Sequence, residues 1–165
     1  MADGELPDWD RIVERHGKRV FRVALRILGS VQDAEDVFTE AFRLHQAGPV
    51  QSWTGLLVRL ATLRSIDRLR RKQPFVELRE CDRMSTLEPF EEVAAAELAH
   101  WLRKAIAQLP DQQSTVFVMV YFEQLSRDEV SATLGISPEA VSTALYKARQ
   151  RLLVQLAVFS QKGSK

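Results

Sequence analysis

The side chains here that could do chemistry are cationic and hydroxylic, and what they could do is hold phosphate and read base edges. Arg64, Arg68 and Arg71 recur at i, i+4 and i+7, one face of a helix. A guanidinium forks onto phosphate oxygens and releases counterions as it binds. A second constellation lies in residues 125–152, LSRDEVSATLGISPEAVSTALYKARQRL. There Ser137, Glu139, Ala140, Ser142, Thr143, Tyr146, Lys147 and Arg149 fall on or before the outward side of a predicted helix, and Arg127 opens the helix before it. Hydroxyls near such a helix start reach bases or phosphates, while Lys147 and Arg149 suit the backbone. Covalent chemistry finds no footing. His16, His45 and His100 share no ligand spacing, and the chain has no nucleophile beside a base and no glycine-rich phosphate loop. Cys81 is the single cysteine, read as a free thiol, so no intramolecular disulfide or cysteine-based zinc site forms. The expectation is a non-enzyme with no cofactor and no metal.

The elements that must position these residues are helices. Ser126 with Glu129 three residues later makes a capping box, and Gly135 suits a left-handed stop. Ser137 then caps a second helix whose first position is Pro138. Val130 and Leu134, with Val141, Leu145, Ala148 and Leu152, recur at helical spacing and should be buried. That is helix-turn-helix geometry, whose second helix reads the major groove. Upstream, periodicity predicts helices over residues 8–28, 32–45, 53–72, 91–108 and 112–122, with a loop at 46–52. In the helix over 53–72, Leu56, Leu60, Leu63 and Ile66 are expected to face the bundle, opposite the arginines. Trp9, Phe38, Phe42, Phe117, Tyr121 and Phe122 fit a core better than a cofactor box. The fold class is all-α: two small helical domains joined by a flexible acidic linker, the C-terminal one a helix-turn-helix. The boundaries are residues 1–72, a linker at 73–90, and 91–165.

Charge supports that division. The net charge is +1, yet residues 59–72 carry six basic side chains against Asp67, a local +5. Residues 73–97 carry two basic side chains against seven acids, a local −5. Opposite fields therefore adjoin one another. Over residues 126–151 the excess is only +1, so this unit alone should bind DNA weakly and draw its affinity from tethering. No apolar run approaches the ~20 residues of a membrane span, and the N-terminus carries no signal-peptide pattern, so a cytoplasmic location is expected.

Two blocks together resemble the extracytoplasmic-function sigma factors. DAEDVFTEAF (33–42), followed by LVRLATLRSIDRLRRK (57–72), resembles their N-terminal domain. Residues 102–152 resemble their C-terminal domain. The resemblance implies a transcription initiation factor that binds core RNA polymerase and promoter DNA and is held by an anti-sigma factor, with no membrane insertion. It implies that Asp33, Glu35, Asp36, Thr39 and Glu40 dock on polymerase. Trp53, Arg59, Arg64, Arg68, Arg71 and Lys72 would serve the −10 element, and Arg127 with the residues of 137–149 named above the −35 element. Trp53 is equally placed for stacking a base or for the core. The chain departs from the family at Thr39 (usually glutamine), Leu63 (asparagine), Leu56 (tryptophan) and Tyr146 (histidine), and in a shorter loop before residue 53. Those departures leave an alternative, a sigma-like regulator acting mainly through protein partners with weakened promoter opening. A dimeric helix-turn-helix repressor is a third reading.

Overall fold

The computed structural model describes residues 8–43, 50, 52–72 and 90–162. The 46–52 loop in large part, residues 73–89 with Cys81, and His45 lie outside the described residues. All regular structure described is helical: α1 (Trp9–Leu28), α2 (Val31–Arg43), α3 (Trp53–Lys72), α4 (Phe90–Ala107), α5 (Asp111–Tyr121), α6 (Arg127–Leu134) and α7 (Pro138–Lys162).

Local chemistry sets the helix limits. The Asp8 side chain accepts from the Arg11 amide to start α1, and Gly29 ends it in the left-handed region at φ 66°. The Ser126–Glu129 capping box is closed on both sides. Gly135 stops α6 at φ 66°, and the Ser137 hydroxyl accepts from the Ala140 amide to start α7. Ser131 donates to the Ile136 carbonyl at 2.5 Å and ties the turn between the two.

Helices α1, α2 and α3 form a bundle. Trp9 and Trp53 meet edge-on at 5.7 Å, so α1 and α3 start at the same end. Their core holds Val20, Val23, Ala24, Ile27, Val37, Leu57 and Ala61, each at most 1% exposed. In the helix-turn-helix, Val130, Val141, Ala144 and Leu145 pack with Val116 and Met119 of α5. Ala148 and Leu152 pack with Ala105 and Leu109.

Two expectations need correction. The buried side of α3 is Leu57, Val58, Ala61, Thr62, Ser65, Ile66 and Leu69. Leu63 is 38% exposed and Leu56 half-buried, while half-buried Leu60 packs against the core and Ile66 is buried, as expected. Thr62 and Ser65 thus share the inner face with Leu57, Ile66 and Leu69, and Leu63 falls on the outer side. Tyr121 is not core; it is 44% exposed.

Candidate functional site

The acids of α2 and the cations of α3 meet one another. Arg68 Nε lies 3.2 Å from Asp33 Oδ1, and its terminal nitrogens lie 2.5 Å from Asp36 and 3.4 Å from Glu40. Lys72 bonds the second Asp33 oxygen. The Asp33 amide donates to Ser30 Oγ at 3.3 Å. Asp33 is thus buried inside a charge cluster instead of standing on an outer face. Glu35, Asp36 and Thr39 are exposed and Glu40 is half-buried, which leaves them the accessible part of the acidic set.

Burial works to raise the Asp33 pKa, but Lys72, Ser30 and Arg68 outweigh it and hold the carboxyl below its ordinary value. A folded pKa below the unfolded one means that ionised Asp33 stabilises the fold above the unfolded pKa of about 3.9. That stabilisation disappears as pH falls through the lowered folded value. An acid titration followed by circular dichroism should show the parent losing stability below about pH 4, with a flatter acid limb for Asp33→Asn. Superimposable acid limbs would contradict the pairing.

The remaining α3 residues of the basic set have different surroundings. Arg59 and Arg71 are exposed, and among the described residues Arg71 pairs with Asp67 on its own helix, at 2.5 Å. Arg64 and Trp53 are half-buried. On α7, Glu139, Thr143, Tyr146, Lys147 and Arg149 form an open row, with Tyr146 63% exposed. Arg127 and Ser137 are exposed beside it, whereas Ala140 and Ser142 are half-buried. Val141, Ala144, Leu145 and Ala148 supply the inner face, so the outer row is held by packing.

Three features escaped the reading of the residues. Arg149 Nε donates to the Tyr121 hydroxyl at 2.5 Å, with its guanidinium carbon 5.3 Å from the ring centre, so α5 steers a side chain of the α7 row. Helix α1 carries six basic residues against Asp10 and Glu14; Arg11, Arg15, Lys18 and Arg22 line its outer side at i, i+4, i+7 and i+11. That spacing was present in the sequence as a signal. The third feature is the seam between α1–α3 and α4–α7. Ile106, Ala107 and Val118 complete the same apolar cluster as Val23, Ile27 and Leu57. Arg26 of α1 donates to the Phe122 carbonyl at 2.6 Å. Glu123 sits 3.7 Å from Arg26 and 3.8 Å from Arg19, its side chain only 6% exposed. Burial pushes its pKa up against the opposing pull of Arg26, Arg19 and Arg22.

Among the described residues no helix is long and apolar enough to cross a membrane. Residues 12–75 match the family described as Sigma-70 region 2, and residues 99–152 match Sigma-70, region 4. The "ECF RNA polymerase sigma factor SigE" of Mycolicibacterium smegmatis is 31% identical over 169 residues, covering 94% of this chain. The chain spans 64% of that relative's length. The "ECF RNA polymerase sigma factor SigW" of Bacillus subtilis is 28% identical over 173 residues, covering 94% of this chain and 92% of the relative. Among solved structures, CnrH in complex with the cytosolic domain of CnrY shares the fold, with a TM-score of 0.58 and 22% identity, covering 94% of this chain and 91% of CnrH. Region 2 over the α1–α3 bundle, region 4 over the helix-turn-helix and relatives alike along nearly the whole chain lead to one assignment: the chain belongs to the extracytoplasmic-function sigma factors, alternative sigma factors that direct RNA polymerase to promoters.

Proposed function

We propose that the chain works as a two-part adaptor that catalyses nothing itself: residues 1–72 hold core polymerase and the −10 element, residues 91–165 read the −35 element, and 73–90 link them. The observation that carries this is the α7 row, in which Glu139, Thr143, Tyr146, Lys147 and Arg149 are exposed on a helix whose opposite side is packed. Such a helix can enter a major groove without giving up its own core. Thr143 and Tyr146 are the base-edge candidates, Lys147 and Arg149 the phosphate ligands. On α2, Glu35, Asp36, Thr39 and Glu40 form the polymerase face, since charge there gives register and on-rate. On α3, Arg59, Arg64 and Arg71, with Trp53 as a stacking face, serve the −10 strand. Arg68 and Lys72 act there through the α2 cluster and keep the two helices in register. The same resemblance to CnrH supports an anti-sigma protein as a further partner. The site of action is the cytoplasm, where polymerase works.

Pull-down with core polymerase and run-off transcription from a mapped promoter test this reading. Retention on core at micromolar concentration with promoter-dependent transcripts is expected. Lys147→Ala should lower the salt slope of promoter binding by about 1. Failure to bind core overturns the reading. Exposed Leu63 beside Arg64 favours one second reading, a regulator that acts through protein partners. Core binding without transcripts would select it.

A further inference from the structure

We infer that Tyr121 is a positioning residue for −35 recognition: from the end of α5 it sets the direction in which Arg149 of α7 offers its guanidinium to a promoter phosphate. The inference rests on the promoter reading above and deepens it, adding a residue outside α6 and α7 to the machinery of that site.

An arginine at an exposed helix position samples many rotamers and gives up that freedom when it binds. Arg149 is exposed, yet it is already held. Its Nε donates to the Tyr121 hydroxyl at 2.5 Å, and its guanidinium carbon lies 5.3 Å from the ring centre, within cation–π range. Engaging Nε leaves the N–H groups of both terminal nitrogens, the pair that forks onto phosphate oxygens. The contact therefore prepares the fork without occupying it.

The brace is itself anchored. Phe117, one turn earlier on α5, lies 4.7 Å from the Tyr121 ring, centre to centre. Phe117 packs against the bundle core, the helix-turn-helix core and the cluster of Ala105, Leu109, Ala148 and Leu152. Tyr121 is 44% exposed, so its hydroxyl reaches the surface beside the α7 row.

The place of Arg149 gives this brace a consequence for reading. It follows Tyr146 by three residues, about 4.5 Å further along the helix axis. Phosphate contacts fix the register and orientation of a reading helix, and base contacts then specify the sequence. An Arg149 that points one way ties the far part of the row to the strand in one register, with Thr143 and Tyr146 set over base edges.

A double-mutant cycle in the complete assembly tests the role. Holoenzyme, made from the full chain and core polymerase, is titrated with a mapped promoter fragment by fluorescence anisotropy at several salt concentrations. Tyr121→Phe keeps the ring, the Phe117 contact and every charge, and removes only the acceptor oxygen. It should lower promoter affinity about three- to tenfold, leave the salt slope at the parental value, and melt with the parent as free chain. Arg149→Ala should lower the slope by about 1. In the double variant the Tyr121→Phe loss should vanish, because a brace without its arginine has nothing to position. Three results overturn the inference. One is parental affinity in Tyr121→Phe. Another is losses that multiply in the double variant, which would make Tyr121 an independent ligand or a structural residue. The third is tighter binding by Tyr121→Phe, which would make the pair a restraint on Arg149. All three leave the promoter reading standing. A parent holoenzyme that does not hold the fragment, or an Arg149→Ala variant at parental affinity, strikes that reading first and this inference with it, so the two failures are distinguishable.

Discussion

Replacing Arg68 with alanine should destabilise the fold by about 3 kcal/mol, the scale for leaving a buried ion pair with one partner missing. Three carboxylates, those of Asp33, Asp36 and Glu40, then face each other with Lys72 the one cation left beside them among the described residues. Asp33 is the costly member, because its side chain is only 9% exposed and the charge cannot turn to water. Arg71→Ala is the control. Its side chain is 74% exposed and, among the described residues, paired within its own helix, so its removal should change stability by about 0.5 kcal/mol or less. In promoter binding the order should reverse once both variants are compared as folded protein, with Arg71→Ala losing a phosphate contact. Urea unfolding with matched slopes separates the two effects. A fully stable Arg68→Ala that binds promoter weakly would show Arg68 to be a DNA ligand and the cluster to be incidental.

Gly29→Ala should destabilise the protein by about 2 to 3 kcal/mol, and Gly135→Ala by only about 1 kcal/mol. Both glycines stand at φ 66°, so the backbone strain is the same. Their surroundings differ. A Cβ on Gly29 would come within 2.6 to 2.9 Å of the Arg103 guanidinium, whereas a Cβ on Gly135 meets nothing within 4 Å. Arg103 is flexible and can withdraw, but only by releasing the α1 carbonyls it covers. The excess at Gly29 therefore measures the loss of those bonds. Equal destabilisation in thermal melts would mean that the crowding has no energetic weight.

Local order was the most readable part of the chain. The limits of α3, the α6 capping box, the Gly135 stop and the Ser137 cap follow from residues within a few positions of one another. So does the inner face of α7, because one heavily apolar stripe leaves its helix little choice of rotation. On α3 the leucines point two ways, and only the packing decides that Thr62 and Ser65 go in and Leu63 goes out. The site was readable by composition and not by pairing. The acids of α2 and the arginines of α3 can each be identified from their spacing. That Arg68 turns to Asp33, 35 positions away, is tertiary information. Tyr121 looks like core in a run of apolar residues, and its exposure follows from its place at the end of α5, where it meets Arg149. The seam left no trace at all, since a guanidinium bonding a peptide oxygen has no recognisable acceptor in the sequence.

That choice of acceptor makes the seam unevenly vulnerable to mutation. Every residue carries a carbonyl, so Ile27, Ala107, Leu109 and Phe122 can drift to other side chains of similar bulk and still offer the same oxygen. Arg70 and Arg103 have no such freedom, because lysine lacks the planar fork with which each spans two carbonyls. Variation among descendants of this chain should therefore be lopsided, permissive on the receiving helices and restrictive at Arg70 and Arg103.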